Sequence, residues 1–540
     1  MDTKKILKFC LENGLLLDKD ALELFSETCN TESVKLIIEK IKSSTKQKII
    51  TKNIFYENKG EIIKFFSDLP KETQKELESL KINLGLSIEI SKEKISLNEK
   101  KQNYSETKSD IKILSPFPPV SSQGHKIDVQ DFVKFFRNRF FEMKKILQGH
   151  SELDNLVSIN KIFGNRHGIS IIGMICSKSI TKNKNMIFEV EDFTGKIKII
   201  VSKEKKELYE KAEEICLDSV LGFKGAGNGE IFFANDIIFP DANLAEKKKS
   251  PEEEYALFLG DLHLGSKRFF KQSFLKFIDY LNGNFPNTPE VYKIKYLFIV
   301  GDLVTGIGNY PNQEEDLEVV NLEEQFSLLA NLLGKIRKDV KIILSPGNHD
   351  GVRLMEPQPL FDEKYAWPIY NLENVTITSN PCFLNFGSKE NFDGFNVLTY
   401  HGFSFQYYAN SVQKLIQKKA MNCPEEIMKY VLKHRHLAPT HASTQYFPTE
   451  EDNLLIKEVP DIFVSAHTHK SGVSVYNNIL IISTSCWEAM TPYQEKFGNE
   501  PDHCKVPMLN LKTRAIKILD FEENERGVDK NLEINLNENK

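Results

Sequence analysis

Five short apolar runs between residues 255 and 470 each end in side chains that can bind metal ions. The runs are YALFLG, YLFIVG, VKIILSPG, NVLTY and DIFVSA, and their composition is typical of buried strands. Longer helix-compatible segments separate them, which indicates an α/β layered core. Because the ends of strands in such sheets lie close together, we expect the side chains that follow to meet at one site. Those side chains are Asp261, His263, Asp302, Asn348, His349, His401, His467 and His469.

The chemistry of this set points to a pair of divalent metal ions. Asp, Asn and His offer mixed oxygen and nitrogen ligands, which suit Mn, Fe or Zn better than Mg. In an extended segment residues i and i+2 point the same way, so Asp261 with His263 could aim two ligands at one site. The same spacing recurs at His467 and His469. Bridging two cations requires a carboxylate, and Asp302 is the candidate.

The segments GDLH, GDLV, PGNHD, YHG and AHTH, in this order, resemble the five motifs of the calcineurin-like metallophosphoesterase superfamily. The resemblance implies two divalent ions, with Mn as the first candidate and Fe or Zn as alternatives. The ligands implied for one ion are Asp261, His263, Asp302 and His469. The ligands implied for the other are Asp302, Asn348, His401 and His467. His349 would not ligate but would face the scissile phosphate as the catalytic residue.

Longer sequence segments indicate a more specific family within this superfamily. GIGNYPNQ, RLMEPQP and RHLAP are not required by the metal chemistry, and they are similar to segments in the small subunits of archaeal D-family DNA polymerases. That resemblance implies a proofreading 3′→5′ exonuclease that acts on single-stranded or mismatched 3′ ends of DNA. It also implies a large catalytic polymerase subunit as partner, in a heterodimer or a higher hetero-oligomer.

The expected fold is a multidomain α/β chain with a helical module, an OB-type β-barrel and an α/β-sandwich phosphoesterase domain. Changes in composition along the chain, together with the resemblance, set the expected boundaries. They are a helical module at 1–75, a flexible linker at 76–125, a helix plus OB-type domain at 126–245, the phosphoesterase domain at 250–515 and a C-terminal tail at 516–540.

Composition excludes some classes of protein. With 71 Lys and Arg against 76 Asp and Glu, the net charge of −5 rules out binding of nucleic acid through bulk positive charge. The eight cysteines include no CxxC pair, which argues against a zinc ribbon or a disulfide framework. No apolar run approaches the ~20 residues that cross a bilayer. We therefore expect a cytoplasmic, nucleoid-associated protein with no membrane contact.

Two alternatives to a proofreading nuclease remain at this point. The chain could be an accessory or scaffolding subunit of a polymerase whose metal site is vestigial or weak. It could also be a stand-alone metallophosphoesterase or repair nuclease. Ala466 and Thr305 stand where the superfamily usually has Gly and Asp, respectively. Arg353 and Arg268 could meet a phosphate, and the sequence assigns no role to His434, His436 or His441.

Overall fold

The computed structural model describes residues 3–18, 49–50, 110–115, 127–496, 498–522 and 532–534. The chain divides into two compact units, residues 1–107 and 108–540. In the first unit, helix α1 spans Thr3–Glu12, and strands β1 (Leu16–Leu17) and β2 (Ile49–Ile50) pair in parallel. The rest of the expected helical module and most of the expected linker lie outside the described residues.

The second unit begins its main body with a helix and a closed five-stranded barrel. Asp128 caps the helix by accepting hydrogen bonds from the backbone of Gln130 and Asp131. Alternating burial along the strands places one face in the barrel interior. The strand order is β4-β5-β6-β8-β7, with β6 and β8 parallel. The elements are α2 (Val129–Gln148), β4 (Arg166–Ile180), β5 (Met186–Asp192), β6 (Gly195–Val201), α3 (Lys206–Glu213), β7 (Val220–Gly227) and β8 (Ile231–Ile238).

Two sheets share a buried apolar core in the remainder of the second unit. The first has the order β12-β11-β10-β9-β18-β19-β20 and the second β16-β17-β15-β14-β13-β3. The first contains β9 (Tyr255–Leu259), β10 (Ile294–Val300), β11 (Lys341–Ser345), β12 (Val375–Ile377), β18 (Lys505–Asn510), β19 (Ile516–Asp520) and β20 (Leu532–Ile534). The second contains β3 (Ile111–Ile113), β13 (Cys382–Phe386), β14 (Phe395–Tyr400), β15 (Ile462–Ser465), β16 (Gly472–Tyr476) and β17 (Ile479–Ser483).

Helices cover the outer faces of both sheets. Helices α4 (Lys271–Leu281), α5 (Leu322–Leu333) and α6 (Glu363–Tyr370) pack on the first sheet. Helices α7 (Phe405–Ser411), α8 (Gln413–Gln417) and α9 (Pro424–His434) pack on the second, and α10 spans Pro492–Lys496. Among the described helices, none combines the length and the apolar character that a membrane span requires.

Two expected boundaries are corrected by strand pairing. Ile111–Ile113, placed in the linker by the sequence, pairs antiparallel with β13 and so belongs to the second sheet. Ile516–Asp520, placed in the tail, pairs antiparallel with β18 along five residues. Both segments satisfy their backbone groups within a sheet, so they are parts of the folded domain.

A buried ion pair joins helix α2 to the two-sheet region. Arg139 and Asp452 are both fully buried, and the Arg139 Nε lies 2.6 Å from a carboxylate oxygen of Asp452. The Nη1 of Arg139 also donates to the Pro439 carbonyl at 2.5 Å, and His436 Nε2 lies 2.9 Å from the same carboxylate. Burial raises the pKa of Asp452, but Arg139 and His436 outweigh it and lower the pKa overall, so the carboxylate stays charged.

We expect Asp452→Ala to lower the free energy of unfolding by about 3–5 kcal/mol, because it leaves a buried guanidinium without its counter-ion. Urea unfolding of the full chain measures the loss. Glu142→Ala is the matched control, because it removes an exposed partner of Lys145 on the same helix, at a cost below about 1 kcal/mol. Equal losses of unfolding free energy in the two variants would show that the buried pair stabilises the fold no more than a surface pair does.

Candidate metal centre

The candidate ligands follow parallel strands whose carboxyl ends lie together. Strands β9, β10 and β11 are parallel neighbours in one sheet, and β14 and β15 are parallel neighbours in the other. The structure brings all eight residues predicted from the sequence together at these ends. Ligand atoms within 4.8 Å of one another form three groups. The groups are Asp261, His263 and His469; His263, Asp302 and His349; and Asp302, His401 and His467.

The local backbone is not the extended one assumed from the sequence. Asp261 and His263 have φ of 50° and 48°, Asp302 has 50°, and His467 and His469 have 69° and 56°. The argument from i, i+2 spacing in an extended segment was therefore wrong about the conformation, although Asp261 and His263 do meet in one group. His467 and His469 belong to different groups. Left-handed backbone at a non-glycine residue costs energy and concentrates at functional sites. Five candidate ligands share this strain because each must turn sharply at a strand end.

Asp302 is the carboxylate at the middle of the cluster. One of its oxygens lies 3.2 Å from His401 Nε2 and 3.8 Å from His263 Nε2. Its other oxygen accepts a hydrogen bond from the backbone N–H of His349 at 2.8 Å. Burial raises the pKa of Asp302, but His401, His349 and His263 outweigh it and hold the pKa well below its usual range. Asp302 is therefore an ionised group that faces both halves of the site.

Two glycines allow the strand ends to approach so closely. A Cβ on Gly301, whose φ is +74°, would lie 2.1 Å from the Nδ1 of His401. A Cβ on Gly347 would lie 2.3 Å from a carboxylate oxygen of Asp302. A side chain at either position would push a candidate ligand out of place.

The ring of His401 is oriented by the backbone. Its Nδ1 lies 3.3 Å from the Val300 carbonyl, to which it can donate, and its Nε2 then points toward the site. That Nε2 lies 3.1 Å from the Asn348 Oδ1 and 3.2 Å from the His467 Nδ1. An imidazole held at one nitrogen by a carbonyl presents the other nitrogen as a metal ligand.

The group formed by Asp261, His263 and His469 also presents imidazole nitrogens and a carboxylate oxygen to one another. The Nε2 atoms of His263 and His469 lie 3.2 Å apart, and the Gln494 side-chain amide lies 2.8 Å from the Nδ1 of His469. The Oδ1 of Asp261 is buried without a hydrogen-bond partner and lies 3.7 Å from the His469 Nε2. A buried carboxylate oxygen without a donor, facing imidazole nitrogens, fits a divalent cation.

Three of the four candidate ligand histidines hold the protonation state that metal binding requires. Burial lowers the pKa of His263, lowers that of His467 to about 3 and lowers that of His469 well below its usual range. These three rings are neutral at pH 7, which is the form that binds metal ions. Burial also lowers the pKa of His401, but the adjacent Asp302 carboxylate outweighs it and raises the pKa to about 9.

His349 lies at the partly exposed side of the cluster. Its Nδ1 lies 2.9 Å from the Thr305 carbonyl, which can accept its proton, so its Nε2 is the nitrogen left for a substrate. The same carbonyl accepts from the Asn309 Nδ2 at 2.9 Å and from the Gln313 Nε2 at 3.0 Å. Three donors thus converge on one backbone oxygen and fix the loop beside His349.

Asp350 is a structural residue of the site for which the sequence analysis predicted no role. One of its oxygens accepts from the Val304 N–H at 2.9 Å and the other from the Gly347 N–H at 2.7 Å. It therefore ties the loop after β10 to the loop after β11. Burial, with Asp302 nearby, raises the pKa of Asp350 to about 7. Its place directly after His349 is the only sign of it in the sequence.

The two departures from the superfamily motifs are accommodated locally. Ala466 is fully buried with φ outside the left-handed region, so its methyl group imposes no backbone strain. The hydroxyl of Thr305 donates to the His263 carbonyl at 2.7 Å, which links the first two motifs.

Residues that the sequence left unassigned lie in the packing of the domain. His434 is buried against Tyr430, with ring centroids 4.0 Å apart, and His436 belongs to the Arg139–Asp452 cluster. His441 is exposed and packs on Tyr446, while Arg268 forms an ion pair with Asp316. Arg353 donates to the Pro357 carbonyl and stacks on Phe447, so structure already uses its guanidinium.

A match to a family model agrees with the geometry of this site. The model of the calcineurin-like phosphoesterase family matches residues 256–471, which contain all eight residues. A structure of vacuolar protein sorting 29 from Cryptosporidium parvum is 14% identical, covers 52% of this chain and 98% of its own, and has a TM-score of 0.25. A likeness at that score supports no conclusion about this chain.

Curated relatives identify the family. A protein of Pyrococcus furiosus named DNA polymerase II small subunit is 36% identical across 78% of this chain and 70% of its own length. A protein of the same name from Methanothermobacter thermautotrophicus is 34% identical across 73% of this chain and 80% of its own. Identity at this level over most of both chains shows common membership, and the chain belongs to the family of DNA polymerase II small subunits.

Proposed function

We propose that this subunit is a metal-dependent 3′→5′ exonuclease that hydrolyses DNA phosphodiesters for a partner DNA polymerase. One observation carries the proposal. Seven side chains that can bind metal ions, together with His349, come from five separate motifs and meet at the carboxyl ends of the parallel strands. A vestigial site would not need to keep five strained non-glycine residues in place, because each adds a cost to folding.

The proposed ligand sets follow the two halves of the cluster. Asp261, His263 and His469 would hold one ion together with Asp302. Asn348, His401 and His467 would hold the second ion, with Asp302 shared between the two. Bound divalent ions supply charge that polarises the phosphodiester and lowers the pKa of the attacking water. The ligand set mixes carboxylate and amide oxygens with imidazole nitrogens, and we propose Mn as its native metal, with Fe or Zn as alternatives.

In this proposal His349 acts on the leaving group. The Thr305 carbonyl holds the Nδ1 side of the ring, so the Nε2 can donate a proton to the leaving 3′ oxygen or stabilise its charge. The backbone N–H of His349 donates to Asp302, which keeps the ring and the carboxylate in a fixed relation. Asp350 positions both loops by accepting the backbone N–H groups of Val304 and Gly347.

The remaining parts of the chain fit a polymerase subunit. We propose that the barrel is an OB-type domain, because its strand order, with parallel β6 and β8, is the order such barrels use. We propose that residues 1–75 are a helical module joined by a linker to this barrel. The phosphoesterase domain would begin near residue 250 and include β19.

We propose that the partner is the large catalytic subunit of a D-family DNA polymerase, in a heterodimer or a higher hetero-oligomer, and that the complex acts in the cytoplasm at the nucleoid. The names of the relatives support such a partner. Co-expression with that subunit should give a complex that survives gel filtration. Separate elution of the two chains would favour a stand-alone phosphoesterase.

Removal of metal provides the first test of the reaction. Dialysis of the full chain against a chelator should abolish shortening of 5′-labelled single-stranded DNA from its 3′ end. Mn²⁺ should restore activity better than Mg²⁺ at the same concentration, since the proposed ligands mix nitrogen with oxygen atoms and Mg²⁺ prefers oxygen alone. Activity that persists in chelator would refute the proposed mechanism.

Two variants separate the binding of metal from proton donation. Asp302→Asn should lose both bound metal and activity, because the shared carboxylate is removed. His349→Ala should keep its metal and lose about 10²–10⁴-fold in turnover, the usual weight of a general acid. Elemental analysis measures the bound metal and the DNA assay measures turnover, both on the same preparation of each variant.

His441→Ala is the matched control for these variants, because that histidine is exposed and packs on Tyr446 away from the ligands. It should leave both metal content and turnover unchanged. Full activity in His349→Ala would contradict the assigned role. Intact metal, no activity toward DNA in the unaltered complex and tight binding to the large subunit would favour a scaffolding subunit.

A further inference from the structure

A pocket of about 240 Å³ lies where the barrel meets helices α8 and α9. Its charged lining consists of Lys414, Lys418, Lys429, Lys433, Glu214 and Glu426. The carboxylate of Glu214 pairs with Lys414 at 3.1 Å and with Lys433 at 2.5 Å. That of Glu426 pairs with Lys429 at 2.8 Å and also with Lys418. Four lysines thus face two glutamates.

The same two-to-one pattern recurs beside the metal centre. Asp502 pairs with Lys505 at 3.1 Å and with Lys470 at 3.8 Å. Its backbone N–H donates to the carbonyl of His469 at 2.8 Å, so this third group adjoins a candidate ligand. We call the six lysines of the three groups the lysine row: Lys414, Lys418, Lys429, Lys433, Lys470 and Lys505.

Helix α9 and strand β16 connect the pocket to the metal centre. Glu425, in the first turn of α9, approaches Gly472 at the start of β16, three residues after His469. Tyr476, at the other end of β16, lines the pocket beside Lys433. Because a strand rises about 3.3 Å per residue, the two ends of β16 lie about 13 Å apart.

The row therefore extends along α9 and β16, from Glu214 beside the barrel to Lys470 beside His469. Its six lysines outnumber five carboxylates, which leaves a net charge of +1 on a chain whose total is −5. The five carboxylates are those of Glu214, Glu425, Glu426, Asp502 and Asp241, and the last accepts a hydrogen bond from Tyr476.

The second lysine paired with Glu214, and the second paired with Glu426, add little to the stability of the fold. The side chains of Lys414 and Lys418 are 61% and 44% exposed, and ion pairs at such positions add about 0–1 kcal/mol or less. Glu214 is already paired with Lys433, and Glu426 with Lys429. The surplus charge is therefore available to an anionic partner.

We propose that the lysine row binds the phosphodiester backbone of single-stranded DNA whose 3′ end enters the metal centre. This inference rests on the nuclease function proposed above. A nucleic-acid strand is favoured over an acidic protein segment because the row ends at His469, where that function requires a phosphodiester. A positively charged groove that follows the backbone is a general mode of binding single strands.

The test is Lys414→Gln combined with Lys418→Gln in the full chain. Each glutamate keeps its second lysine, so the fold is preserved, and thermal unfolding checks this. Binding of a labelled single-stranded oligonucleotide is measured in a chelator, which prevents hydrolysis, at several salt concentrations between about 50 and 200 mM. We expect weaker binding and a salt slope smaller by about 1.4, since each lost single-strand contact removes about 0.7.

Lys293→Gln combined with Lys517→Gln is the matched control. These lysines pair one-to-one with Glu253 and Glu290 and line another pocket, beside β9, β18 and β19 of the first sheet. DNA binding and its salt slope should not change in this control. Equal losses in the two double variants would overturn the proposal, because they would reflect overall charge alone.

Unchanged DNA binding in the Lys414 and Lys418 variant would also overturn it. This includes the case in which the variant weakens only binding to the large subunit, which would assign the row to an acidic protein segment. Failure of the nuclease proposal is distinguishable from both results. If DNA binding depends on the lysine row but the chain hydrolyses no DNA, the nuclease proposal is contradicted and the proposed role of the row in DNA binding is retained.

Discussion

The arrangement of the candidate site depends on one buried carboxylate. Asp302 follows β10, faces His401 and His263 from the two sheets, and accepts the backbone N–H of His349. Burying an ionised carboxylate is costly unless cations or donors surround it, so the neighbouring strands must all end at this point. Gly301 and Gly347 have no side chain because the space that a Cβ would take is occupied by His401 and by Asp302 itself.

The two sheets supply this convergence through their parallel strands. Each strand end adds one or two ligand-type residues, and five of them adopt left-handed backbone to turn the side chain inward. Such strain persists only where packing over-determines it. Here the packing is the apolar core shared by both sheets, and Asp350 adds two hydrogen bonds that tie neighbouring loops.

The sequence predicted the site better than its surroundings. All eight residues could be found because each follows an apolar run, and strand ends meet in α/β sheets. The strained backbone of Asp261 and His467 was not predictable, since periodicity assumes regular φ and ψ. Strands β3 and β19 were assigned to a linker and a tail because their pairing partners lie far away in the chain. The same distance hid the contacts between Arg139 and Asp452 and those of Glu214 with Lys414 and Lys433.

The central claim is that two ions share Asp302. The most direct measurement is anomalous diffraction from crystals of the full chain grown with Mn²⁺. The account predicts two anomalous peaks: one contacted by Asp261, His263 and His469, the other by Asn348, His401 and His467, with Asp302 touching both. A single peak, or two peaks that do not share Asp302, would contradict it.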